Sequence, residues 1–153
     1  MSLRREPLVC VRYGQLPDGT DPDHRLRSVA GHVHGLVAEV HPLWERYLAT
    51  VGVPPTASQV EACLKPLAAD GAVEMMTALA AEDLVSSDGV LMNREIAHHT
   101  VTRIVRWLGP GATWWTNCGD GGSSDPVSAC TFDGVVAGSD GDYFAVLLQL
   151  GED

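Results

Sequence analysis

The final third of the chain contains two runs rich in apolar and β-branched residues, separated by a short turn. The runs span Val127 to Val136 and Tyr143 to Leu150, and the sequence GSDG at 138–141 supplies the glycine and aspartate of a tight turn. This order is typical of a β-hairpin, so the sequence predicts an antiparallel sheet here. The second run is also far shorter than the roughly 20 apolar residues that a membrane-spanning helix needs.

The first part of the chain favours a short strand followed by a helix. LVCVRY at 8–13 has the composition of a strand, and the Pro, Gly and Asp residues after it indicate a loop. Asp21 or Asp23 is a suitable N-cap, and apolar residues then recur at steps of three and four from Leu26 to Val40. Pro42 is expected to kink or restart this helix.

Residues 56–89 have the order of a helix-turn-helix with a wing. Thr56 caps a helix predicted to run to about Ala69, an AspGly pair breaks it, and a second helix runs to about Leu84, before a SerAspGly turn. The second helix contains acidic residues and no Lys or Arg. A recognition helix for DNA needs basic or amide side chains, so this element is expected to be a scaffold.

The segment NREIAHHTVTRIVRW, beginning at Asn93, fits either a helix capped by Asn93 or a strand. The Thr, Val and Ile residues of its second half favour a strand from Thr100 to Trp107. The chain is therefore predicted to be a single α+β domain over residues 1–153, mostly helical over 1–92 and an antiparallel sheet over 93–153.

Charge is unevenly distributed along this chain of 153 residues, whose net charge is −10. Every Lys and Arg lies at or before Arg106, and all charged residues after it are acidic: Asp120, Asp125, Asp133, Asp140, Asp142, Glu152 and Asp153. Such a field repels nucleic acid and anionic membrane surfaces and attracts cationic partners. A basic protein is therefore the expected partner, and neither nucleic acid nor a membrane is.

Three groups of residues, the histidines, the cysteines and the aspartates of the turns, are of types that bind metals, but none matches a known site. The six histidines include no pair spaced i and i+4 on a helix, and the four cysteines form no CxxC motif. The aspartates in the Gly-rich turns do not match the EF-hand spacing. We therefore predict no metal and no cofactor, with the cysteines as free thiols in a reducing compartment.

The stretch TWWTNCGDGGSSDPVSAC at 113–130 is the strongest candidate site. If Trp114 and Trp115 lie in a strand, they point to opposite faces, one into the core and the other outward as a possible interface anchor. Cys118 and Cys130 bracket an acidic loop that contains Asp120. Both a structural corner and a thiol site are compatible with this pattern.

The helix-turn-helix and wing, followed by WWTNC, resemble the front half of alkylmercury lyase-type proteins over about Leu43 to Cys118. The resemblance implies that Cys118 attacks the metal and that an aspartate three residues later handles the proton. Position 121 is Gly121 here, and Asp120 lies one residue earlier. Cys130, the only later cysteine, comes much sooner than the second thiol of the family and would be the partner thiol of Cys118 in an enzyme.

The leading hypothesis from the sequence is a small acidic protein that binds a basic protein as an inhibitor, immunity-type neutraliser or regulator. The residues expected to make the contact are Trp114, Trp115, Asp120, Asp125, Asp140 and Asp142. The alternatives are a thiol-dependent lyase-like enzyme, with Cys118, Asp120 and Cys130 in its site, and a winged-helix transcription regulator. The first residues, MSLRREPLVCVRYG, are too poor in apolar residues for a secretory signal, so a cytoplasmic protein is expected.

Overall fold

The computed structural model describes residues 7–16, 21, 24–45, 53–86, 88–119 and 124–152. The helices and strands in chain order are β1 (Leu8–Gln15), α1 (Arg25–Val40), α2 (Ala57–Cys63), β2 (Lys65–Leu67), α3 (Ala69–Ala81), α4 (Arg94–Leu108), β3 (Thr113–Thr116), β4 (Phe132–Ser139) and β5 (Tyr143–Gly151). The predicted α+β class is confirmed. In the described ranges, no helix combines the length and apolarity required to cross a bilayer.

The strands form one antiparallel sheet in the order β1-β5-β4-β3-β2. β1 pairs with β5 along its whole length, from Leu8 opposite Leu150 to Gln15 opposite Tyr143. Residues 1–92 contain α1, α2 and α3 together with β1, which the sequence predicts, and β2, which it does not. Residues 93–153 contain β3, β4 and β5, but they also contain α4, where the sequence favours a strand.

Helices cover both faces of this sheet. α1 and α2 pack on one face against Val135 and Leu148, whereas α3 and α4 pack on the other against Val136 and Leu147. Because β4 and β5 are buried on both sides, their sequences are continuous apolar runs rather than alternating patterns. This two-sided burial explains why the β4–β5 hairpin was evident from the sequence.

Several local predictions are confirmed by the structure. β1 and α1 lie where the sequence places them, and Pro42 lies in a short 3₁₀ turn that follows α1. Thr56 caps α2 through a capping box, in which Thr56 Oγ1 accepts the Gln59 N–H at 3.2 Å and Gln59 Oε1 accepts the Thr56 N–H at 2.8 Å. α2 nevertheless ends at Cys63, six residues before the predicted end at Ala69.

The winged-helix arrangement is not confirmed. The strand β2 lies between α2 and α3, and the pair Asp70-Gly71 belongs to the first turn of α3 rather than to a break between helices. The turn after α3 is closed by a single antiparallel bridge between Glu82 and Val90. The sequence therefore indicated two successive helices but missed the strand between them.

Gln149 fixes the end of α3 from within the sheet. Its side chain is fully buried, and Nε2 donates to the carbonyl oxygens of Leu79 and Glu82 at 2.6 and 2.7 Å. Its Oε1 accepts the Leu84 N–H at 2.8 Å. Carbonyl groups at the end of a helix lack partners inside the helix, so this one side chain satisfies groups that α3 leaves open.

The predicted strand from Thr100 to Trp107 is wrong, because these residues belong to α4. Asn93 Oδ1 caps the helix by accepting the N–H groups of Glu95 and Ile96 at 2.9 and 3.2 Å. The helix ends before Gly109, whose φ of 84° is readily adopted by glycine. Its buried residues are Ala97, Val101 and Leu108. Their helical spacing outweighs the strand preference of the Thr, Val and Ile residues.

Candidate functional site

The two tryptophans of β3 face opposite sides of the sheet, as the sequence predicts, but both are buried. Trp114 belongs to the cluster beneath α3 and α4, and Trp115 to the cluster beneath α1 and α2. Their exposed fractions are 1% and 6%, so the expectation that one points outward is wrong. It fails because β3 lies inside the sheet with helices on both faces, which leaves neither side chain available as an interface anchor.

Asn117 and Asp133 organise the loop that follows β3. Asn117 Nδ2 donates to Asp133 Oδ1 and to the carbonyl of Asp125, both at 2.8 Å, while Asn117 Oδ1 accepts the Val135 N–H at 2.8 Å. Asp133 Oδ2 accepts hydrogen bonds from the N–H and hydroxyl of Ser128 at 3.0 and 2.7 Å. These contacts fix the two ends of the loop to the start of β4.

The Asp133 carboxylate is buried yet well provided with donors. Val127 N–H also donates to Oδ2, at 3.1 Å, which brings the donors around the carboxylate to four with those from Ser128 and Asn117. Burial raises the pKa of Asp133, and the hydrogen bonds from Ser128, Val127 and Asn117 oppose that shift. The arrangement is that of a structural corner built around one carboxylate.

The two cysteines of this stretch do not lie together. Cys118 faces the α3 side of the sheet beside Gly134, whereas Cys130 belongs to the core cluster beneath α1. Both are free thiols. Burial raises the pKa of Cys118, and it raises the pKa of Cys130 to about 11. Both are therefore protonated near neutral pH, which is unfavourable for a nucleophile.

The acidic residues predicted to make a contact belong to different loops of the chain. Asp120 lies outside the described residues. Asp125 pairs with Lys65 of β2 at 3.6 Å. Asp140 shapes the turn between β4 and β5 by accepting the N–H groups of Asp142 and Tyr143.

Among the described residues, no group of three His, Cys, Asp or Glu side chains is placed to hold a metal ion. His32 stacks on Phe144 with ring centroids 3.9 Å apart. Burial and the nearby Arg12 charge lower the pKa of His32. This histidine is therefore part of the packing between α1 and the sheet.

A groove lies between β1 and α4. It consists of two adjoining cavities of about 320 and 500 Å³. The residues that line them, which define the β1–α4 groove, are Pro7, Val9, Val11, Tyr13, Ala80, Leu91, Met92, Ala97, Thr100, Val101, Arg103, Ile104, Trp107, Ala145 and Leu147. The lining is mostly apolar, which is typical of binding sites.

Three aromatic rings stand at one end of the β1–α4 groove. Trp107 lies between Tyr13 and Tyr143, with ring centroids 5.7 and 5.5 Å away. The exposed fractions are 50% for Trp107 and 69% for Tyr13. Val11 and Ile96 extend this exposed apolar surface along the groove and α4. Large exposed aromatic side chains grouped in this way are characteristic of protein contact sites.

The charge of the groove differs from that of the whole chain. Arg103 is the only charged residue among the lining residues given above, although the chain has a net charge of −10. Neither Arg103 nor Arg106, one turn further along α4, forms an ion pair with another described residue. The groove thus combines apolar walls with local positive charge.

Sequence reasoning missed this groove. Its signal was the alternation of Val9, Val11 and Tyr13 in β1, because residues two apart in a strand share one face. The other wall is formed by α4, whose residues Thr100 to Trp107 were predicted to form a strand. Without α4 as a helix, the two walls had no reason to be joined.

Comparison with known proteins finds no family model, no curated protein and no solved structure that matches this chain. A functional assignment therefore depends on the groove, the buried corner and the charge of the molecule.

Proposed function

We propose that this protein is a binding module that docks a partner protein in the β1–α4 groove and acts as an inhibitor, immunity-type neutraliser or regulator of that partner. The observation that carries the proposal is the exposed aromatic cluster of Tyr13, Trp107 and Tyr143 at the mouth of an apolar groove. Contact residues with high binding energy are enriched in Trp, Tyr and Arg, and this surface contains all three.

The net charge of −10 supports a basic protein as the partner. Since no acidic side chain is among the described residues that line the groove, we expect the acidic residues to contribute long-range attraction rather than the contact itself. Attraction of this kind increases the rate of association and weakens as salt rises. The partner is thus expected to be basic overall, with an apolar segment that enters the groove.

The full chain is immobilised and used to capture binding proteins from a lysate of its native source, at low and at high salt. The captured protein is the candidate partner. The purified partner is then titrated by calorimetry against the wild type and three variants, of which Val11→Ala and Val53→Ala form a matched pair. Val11→Ala removes two methyl groups from a side chain that lines the groove. Val53→Ala, the control, removes the same two methyl groups from an exposed side chain outside the groove. Trp107→Ala truncates the central aromatic ring.

We expect Trp107→Ala to weaken binding by about 2 kcal/mol or more, which is roughly thirtyfold. Val11→Ala should weaken binding measurably, while Val53→Ala should bind as the wild type does. A partner that binds all three variants with unchanged affinity contradicts docking in the groove. Association that does not slow as salt rises contradicts the role given to the net charge.

A further inference from the structure

We propose that the β1–α4 groove takes an extended segment of the partner as a sixth strand of the sheet, paired to β1 and carrying an acidic side chain against Arg103. This inference rests on the proposed function and specifies what enters the groove. Three features of the described chain support it: the open edge of β1, the position of α4 beside that edge, and the charge of Arg103.

The first feature is the edge of the sheet. Among the described strands, β1 lies at one end of the order and pairs with β5 alone. The Leu16 N–H donates to the Asp142 carbonyl, so the even-numbered residues of β1 are those expected to bond to β5. By the alternation of an antiparallel ladder, Val9, Val11 and Tyr13 then direct their backbone N–H and C=O groups to the open edge.

β1 also lacks the features that protect an edge strand from pairing. Its eight residues, LVCVRYGQ, contain no proline and no lysine. Its one charged side chain, Arg12, is bound to Glu39 of α1 on the opposite face of the sheet from the groove. An edge of this length and composition is suited to accept another strand.

The second feature is α4, which provides a wall for the added strand. The exposed residues Ile96, Thr100, Arg103 and Trp107 recur at steps of three and four and form one stripe along the helix. The last three of these residues line the groove together with Val11 and Tyr13. Alternate side chains of a strand added beyond β1 would point toward this stripe.

The third feature is charge complementarity. Arg103 lies in the groove among apolar and aromatic side chains and has no ion pair with any residue that the structure describes. A guanidinium group pairs well with a carboxylate, and a segment docked over the groove would shield such a pair from solvent. The segment is therefore expected to place Asp or Glu, rather than Lys or Arg, opposite Arg103.

The test uses two synthetic capped peptides of eight residues, in which valine alternates with threonine and one central valine is replaced by aspartate or by lysine. Each peptide is titrated into the full-length protein while amide signals are followed by NMR. We expect the aspartate peptide to bind at least tenfold more tightly than the lysine peptide. Hydrogen exchange should slow at the amides of Val9, Val11 and Tyr13 when it binds.

Two pairs of variants separate charge from backbone pairing. Arg103→Glu should reverse the preference between the peptides, whereas Arg106→Glu, on the same helix but outside the lining, should preserve it. Val11→Pro removes one N–H from the open edge and should weaken binding at least tenfold, whereas Val11→Thr keeps that N–H. If Val11→Pro does not fold, the exchange measurement on the wild type decides the question.

Equal binding of the two peptides, binding without protection of the three amides, or no binding by either peptide at millimolar concentration overturns the inference. None of these outcomes affects the calorimetric test of the groove with the purified partner. If neither peptide pairs with β1 but Trp107→Ala still weakens binding of the partner, the proposed function stands, and the partner binds in the groove without adding a strand to the sheet. If Trp107→Ala retains the partner, the proposed function itself fails.

Discussion

The side-chain amide of Asn117 donates a hydrogen bond to the buried carboxylate of Asp133 across 2.8 Å, and this contact joins the end of β3 to the start of β4. Asn117 lies between the two tryptophans of β3 and Cys118, the thiol that the resemblance to lyases places in an active site. In the structure, a network of buried polar groups holds this stretch in place.

Asp133→Asn should destabilise the protein by about 2 to 3 kcal/mol, because an amide at this position turns an NH₂ group toward donors that need an acceptor. The free energy of unfolding in urea measures the effect. The control is Asp125→Asn, whose exposed pair with Lys65 should contribute less than about 1 kcal/mol. Equal losses in the two variants would contradict the structural role of Asp133.

Gly138→Ala should destabilise the protein by about 2 to 3 kcal/mol through overpacking. A Cβ atom at this position would lie 2.4 Å from Cε3 of Trp114, which is itself buried. Gly31→Ala is the matched control, since no atom lies within 4 Å of its added Cβ and the residue is in α1. The free energy of unfolding of Gly31→Ala should rise by about 0.5 to 1 kcal/mol, because alanine has a higher helix propensity than glycine. Thermal and urea unfolding of both variants test the contrast in sign.

Trp107 should account for nearly all of the tryptophan fluorescence that acrylamide quenches. It is 50% exposed, whereas Trp44, Trp114 and Trp115 are buried. Trp107→Phe should therefore remove the quenchable component and leave the protein folded. Residual quenching as strong as that of the wild type would contradict the burial of Trp44, Trp114 or Trp115.

Alkaline pH should destabilise the protein in part through Cys130. Burial raises the pKa of this thiol from 9.0 to about 11, and the unfolded chain is taken to have the ordinary value. The stabilisation is therefore complete below pH 9 and is lost as pH rises through the folded value near 11. Unfolding free energies measured from pH 8 to 11 should fall less steeply for Cys130→Ala than for the wild type. Parallel slopes would rule out this contribution.

Helices and strands were predicted correctly from the sequence where burial requires a single pattern of apolar residues. The β4–β5 hairpin was evident because helices cover both faces and require continuous apolar runs. α1 was evident because only one of its faces is buried. The start of α2 at Thr56 was also evident, because the capping box is formed by neighbouring residues and does not depend on tertiary contacts.

α4 shows where prediction failed and why. Its residues Thr100, Val101 and Ile104 prefer strands when considered singly, but burial of Ala97 and Val101 on one helical face outweighs that preference. The groove was hidden for a related reason. It requires β1 to lie beside β5 and α4 to lie beside that pair, and these distant contacts have no local signature in the sequence.

The pairing of β1 with β5 has a consequence for how the chain acquires its structure. Leu8 is opposite Leu150, so this ladder cannot form during synthesis until the last strand of the sheet has been made. Pairing between such distant segments slows folding, because a long loop must close before its contacts provide any stabilisation. We therefore expect β1 to wait unpaired with both of its edges open, a period in which chaperone binding or association between nascent chains would compete with the native partner strand.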